Sequence, residues 1–115
     1  METVEVDCGL RRYSINGGAP LCFNPTDPAV FARLEQLADP QNMPLDQGVT
    51  AMEQYLLQGL EEVFPGNDIR ACLGGVSLMA MAQNGKLVFH NLLEKLMQIL
   101  TDGMDRLAQA LIAES

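Results

Sequence analysis

Tryptophan is absent from this chain, histidine occurs once, and four Phe and two Tyr are its only aromatic residues. A core must therefore come from Leu, Val, Ala and Met, the composition of packed helices more than of a β-sandwich, so helix is expected to dominate. Cysteine is also sparse. Cys8, Cys22 and Cys72 are odd in number, far apart and without the two-residue spacing of a zinc knuckle, so no disulfide framework is suggested either. A reducing cytoplasm fits best. Positive charge is short as well: seven Lys and Arg against fifteen Asp and Glu leave a net charge of −8. That balance opposes a phosphate backbone or an anionic lipid surface, and neither nucleic acid nor membrane is expected as a partner. Arg11-Arg12, the only basic pair, reads as the exposed start of a strand. No apolar run approaches the eighteen or so residues of a membrane span, and Glu2 and Glu5 stand where a signal peptide would carry positive charge.

Catalytic constellations are missing too. His90 and Glu94 are four residues apart and could share a metal or a proton, but no HExxH and no second histidine accompany them. Asn16-Gly17-Gly18 has neither the GxGxxG nor the Walker spacing of a phosphate loop. Ser14, Ser77 and the cysteines have no base nearby in sequence, and the carboxylates are scattered over polar faces. The expectation is a non-enzymatic protein with no metal, cofactor or small-molecule substrate.

What the sequence does contain is strong backbone punctuation. Tyr13 and Ile15 alternate with Ser14, Leu21 and Phe23 alternate with Cys22, and Asn16-Gly17-Gly18 between them accepts the positive φ of a tight reversal. A β-hairpin is predicted. Asn24-Pro25 leaves it, and Asp27 can cap a helix with Pro28 at its first position. Upstream, residues 3–7 alternate Val4 and Val6 with Glu5 and Asp7, the pattern of a half-buried strand. Together these predict a β region over residues 1–24, either a hairpin or a small antiparallel sheet.

Helical spacing then runs over residues 28–38, through Val30, Phe31, Leu34 and Leu37, and stops before Asp39-Pro40. A second stripe contains Val49, Met52, Tyr55, Leu56, Leu60 and Val63, with Asp46 as its expected cap. Asn67 or Asp68 can start a short helix carrying Ile69, Cys72 and Leu73, closed by Gly74-Gly75. Residues 76–82 suit either a buried helix or a strand, and their Leu, Met and Ala favour helix. After the Asn84-Gly85 turn, residues 87–113 form the longest periodic segment. The fold class is therefore α+β, mainly α: one domain over residues 1–115, with an N-terminal hairpin or small sheet packed on about four helices spanning residues 27–113.

The last helix is apolar over an arc too wide for one seam, so part of it should meet a second copy or another protein. Leu93, Met97, Leu100 and Met104 are the candidate partner-binding or self-association residues. Asn16, Gly17, Gly18, Asp27 and Pro28 are the candidate turn and cap residues. Seven methionines suit an irregular core, and flexible thioethers also suit a groove for variable apolar helices.

The YSINGG run at residues 13–18 and FNPTDP at residues 23–28, with Phe31, Arg33-Leu34, Phe64-Pro65-Gly66 and Gly74-Gly75, resemble one family. It comprises small uncharacterised proteins from the tail-morphogenesis regions of phages and prophages of Gram-positive gut bacteria. Pro40 and Pro44 replace the long charged helix of that family, and its basic tail is absent. The resemblance implies a tail assembly chaperone in the bacterial cytoplasm that coats the tape-measure protein while the tail tube polymerises, with phage tail proteins as partners, and the wide apolar arc of the last helix leaves a homo-oligomer open. The alternative it implies is a self-assembling structural component of the virion or head–tail joint. An acidic mimic of nucleic acid would need carboxylates in a dense row, which this chain does not have.

Overall fold

In the computed structural model, which describes residues 1–114, the elements are two strands, β1 (Arg11–Ser14) and β2 (Pro20–Phe23), and four α-helices. The helices are α1 (Pro28–Ala38), α2 (Val49–Val63), α3 (Ile69–Leu73) and α4 (Val88–Glu114), with a 3₁₀ turn at Pro40–Asn42 after α1. The class is α+β, mainly α, as expected.

The hairpin forms because its reversal is chemically prepared. Asn16 and Gly17 have φ of 53° and 81°, and the Gly18 N–H donates to the Ile15 carbonyl at 3.0 Å, the pattern of a type I′ turn. The strands pair antiparallel from Arg11 opposite Phe23 to Ser14 opposite Pro20. Leu21 and Phe23 point into the core, where Phe23 stacks on Tyr13 at 4.8 Å and meets Phe64 at 4.7 Å. Gly18 lies against the end of α3: a Cβ there would sit 2.5 Å from the Cys72 carbonyl oxygen.

The following corner is held by side chains acting on backbone. Asn24 Oδ1 accepts from the Thr26 N–H at 2.8 Å, and Asp27 Oδ1 accepts from the Ala29 N–H at 2.9 Å, capping α1 with Pro28 at its first turn. Pro25 is fully buried and its carbonyl faces Gly103 of α4, where an ideal Cβ would overlap that oxygen. Corner and helix thus meet backbone to backbone. Asp68 caps α3, accepting from the Ala71 N–H at 3.2 Å, and Gly74 ends it with φ of 63°. One apolar cluster joins these pieces through Leu34, Leu56, Leu60, Phe64, Leu78 and Leu100.

Three local expectations are corrected. Residues 3–7 form no strand: Val4 and Val6 are 83% and 73% exposed. The cause lies just downstream, where Asn24 Nδ2 donates to the Cys8 carbonyl at 2.8 Å and holds the chain at the end of β2. Asp46 does not cap α2. It sits in a turn closed by the Gln47 N–H on the Pro44 carbonyl at 3.1 Å, and Gly48, with φ of 95°, is the capping residue without a side-chain bond.

Residues 76–82 are not helical either. They run through turns to a bridge between Met81 and Leu87 that flanks the Asn84-Gly85 turn. The carbonyls of Leu78 and Ala80 instead accept the first-turn amides of α4, from Phe89 and Val88, each at 2.9 Å. Helix termini leave such amides without partners, and a helix over residues 76–82 would have spent the Leu78 carbonyl on the Ala82 N–H, which here donates to the Lys86 carbonyl at 2.8 Å.

Candidate partner-binding surface

Helix α4 is about 40 Å long at 1.5 Å per residue, and its settled side is marked by Phe89, Leu96, Leu100 and Gly103, all buried. The candidate residues divide about this line. Leu100 is fully buried and belongs to the core, which removes it from the candidate contact surface. The spacing explains the correction: Leu100 follows Leu96 by four residues and Phe89 by eleven, which places it at the centre of the inward stripe. Leu93, Met97 and Met104 are half-buried on one flank of that stripe. Beyond Leu107 the helix is exposed, with Leu111 at 62%.

His90, Met97 and Met104 recur every seven residues and so share one face of α4. At the His90 end of this face lies an apolar hollow of about 320 Å³, lined by Met43, Leu45, Val49, Met52, Met79 and Phe89, with His90 at its rim. Leu45 and Val49 are 64% and 63% exposed there, apolar surface left open at the start of α2. Further along, Met97 shares an open hollow with Glu94, Gln98, Thr101, Asp102 and Asp105, so carboxylates border the apolar track. Sequence reading singled out the α4 residues and missed the contribution of residues 43–49. The signal was present in Met43, Leu45 and Val49 around Pro44, but it has no period.

A larger cleft of about 680 Å³ separates α1 from α2, lined by Arg33, Asp39, Asn42, Tyr55 and Glu62 among others. Its character is polar and mixed in charge. Arg33 Nη2 donates to the Val63 carbonyl at 3.1 Å, tying α1 to the end of α2. Burial, and then the Asp39 carboxylate, push the Tyr55 hydroxyl above its ordinary pKa.

The residues weighed for chemistry are dispersed. Glu94 faces Lys86 at 3.7 Å, and His90 is exposed beside Phe89. Burial, with smaller contributions from Asp68 and Cys22, raises the Cys72 thiol pKa, the opposite of an activated thiolate. Asn16, Gly17, Gly18, Asp27 and Pro28 are engaged in turn and cap geometry. Among the described residues no three of His, Cys, Asp and Glu group as metal ligands, and no helix is long and apolar enough to cross a membrane. No protein family, curated protein or solved structure matches this chain.

Proposed function

We propose that this chain is a non-catalytic helix-binding protein of the tail assembly chaperone type, covering apolar helical surface of a tape-measure protein in the cytoplasm of a bacterial host. The observation that supports this reading is the methionine-lined hollow at the His90 end of the Leu93, Met97 and Met104 flank. Thioether side chains adapt to variable apolar partners, and an amphipathic helix is the occupant such a track suits. Glu94, Asp102 and Asp105 along its margin favour a helix with basic residues beside its apolar stripe.

Co-expression with the tape-measure protein of the same phage should rescue that protein's solubility and yield a complex on size exclusion. Val49→Asp and Met97→Asp should abolish the complex while leaving the fold intact by circular dichroism. Failure of the unmodified chain to form the complex would remove the reading. The second reading, a self-assembling virion or head–tail component, draws on the exposed Leu111 in the C-terminal part of α4. Mass spectrometry of purified particles separates the two, because a chaperone is absent from finished tails.

A further inference from the structure

The hairpin has two edges, and the structure treats them differently. At β2, the Cys22 N–H donates to Asn67 Oδ1 at 2.7 Å and Asn67 Nδ2 donates to the Cys22 carbonyl at 2.9 Å. One side chain therefore closes that edge. Because both backbone groups of Cys22 point away from β1, Arg12 opposite Cys22 is a non-hydrogen-bonded pair of the ladder. The N–H and C=O of Arg12 then point outward from the other edge, where no strand lies among the described residues. An open edge of this kind is a template for a further strand.

The same molecule carries a segment with strand patterning and no ladder partner, residues 3–7. We propose that this segment adds antiparallel to the β1 edge of a second copy, and that two chains exchange these strands reciprocally in a closed two-fold dimer. Three observations select this occupant. First, the side-chain alternation fits: Glu5 opposite Arg12 puts Val4 opposite Tyr13 and Val6 opposite Arg11, so both valines join the face on which Tyr13 packs against Phe23.

Second, charge is complementary in a molecule of net charge −8, since Glu5 stands opposite Arg12 and Asp7 lies diagonal to Arg12 on the same face. Third, the segment is not folded onto its own β1. Asn24 Nδ2 holds the Cys8 carbonyl at 2.8 Å, and Gly9 is so close that a Cβ would stand 2.8 Å from the same nitrogen. This surface is distinct from the helical track, so the two proposals stand or fall separately.

Light scattering after size exclusion of the full chain, over micromolar to millimolar concentration, should show a monomer–dimer equilibrium. Glu5→Pro removes the N–H that would bond to Arg12 and should leave only monomer, while Glu5→Lys and Arg12→Glu should each weaken the dimer about ten-fold, because two opposed pairs per dimer become repulsive. The double variant Glu5→Lys, Arg12→Glu keeps the net charge and should restore the original constant. Both sites are exposed in the monomer, so circular dichroism should be unchanged. A chain that stays monomeric, a dimer indifferent to Glu5→Pro, or hydrogen-exchange protection of residues 3–7 that does not depend on concentration would each overturn the proposal, the last by showing fold-back onto the chain's own β1.

Discussion

Replacing Gly103 by alanine sets two effects of opposite sign against each other. Alanine in a helix interior is favoured over glycine by about 1 kcal/mol, so at an open site the change would stabilise α4. Gly103 is not an open site. A Cβ there would overlap the Pro25 carbonyl oxygen and lie 2.6 Å from its carbonyl carbon and 3.3 Å from the Thr26 nitrogen. All three atoms are backbone in the corner that Asn24 and Asp27 hold in place, so no side chain can swing aside. The corner must instead retreat from α4.

A retreat of ~1 Å already forfeits a quarter to a half of the dispersion energy of the facing atoms, and overpacking of this kind costs roughly 1–3 kcal/mol, occasionally more. Because the obstruction is backbone, the upper end applies. Subtracting the helix-propensity gain leaves a net loss of about 2 kcal/mol. For a chain of 115 residues that corresponds to a fall in Tm of about 8 °C.

Urea unfolding followed by circular dichroism should show the midpoint lowered with the slope unchanged. The internal control is Gly59→Ala in α2, where the added Cβ would meet the tip of the Leu37 side chain, which can rotate. That variant should stay within about 1 kcal/mol of the parent. A Gly103→Ala protein as stable as the parent, or less affected than Gly59→Ala, would refute the close docking of the corner on α4.

Asn67→Ala removes the bonds to both backbone groups of Cys22 and one at 3.0 Å to the Phe64 carbonyl, and should lower stability by about 2–3 kcal/mol in the same assay. Leu100→Ala should cost about 3 kcal/mol through the cavity it leaves, whereas Met97→Ala should cost under 1 kcal/mol and act on partner binding, as measured by unfolding and pull-down respectively. The raised pKa of Cys72 means that the protonated thiol is the form favoured by folding. Its contribution is fully present below the unfolded thiol pKa and is lost as pH rises through the higher folded value. Stability should therefore fall on the alkaline side of about pH 9, and Cys72→Ala should flatten that limb.

Features that were legible in the sequence are those decided within a few residues. Asn16-Gly17, Asp27-Pro28, Asp68 and Gly74 each satisfy a backbone demand next to themselves, and each is found in its expected role. The misread segments depend on partners far along the chain. Residues 3–7 lead into a backbone that Asn24 holds at Cys8, and in residues 76–82 the Ala82 N–H and Leu78 carbonyl that a helix would pair are given to Lys86 and Phe89. Leu100 shares the wide apolar arc of α4 with Leu93, Met97 and Met104, and periodicity alone does not say which part of such an arc faces inward.

That rotational setting is fixed at Gly103. Only a residue without a side chain lets the Pro25 carbonyl reach the helix backbone, so the side of α4 bearing Gly103 must face the corner. At about 100° per residue, Met104 then lies about 100° round from the contact and Met97 about 120° round, both towards the flank that also bears His90. Leu96 and Leu100 fall on the inward side with Gly103 and are buried. The corner motif is therefore not separate from any surface that α4 presents. By setting the roll of α4, residues 24–28 determine which methionines line its open flank and which leucines fill the core. A larger residue at position 103 should accordingly disturb partner binding as well as stability, even though it touches no partner.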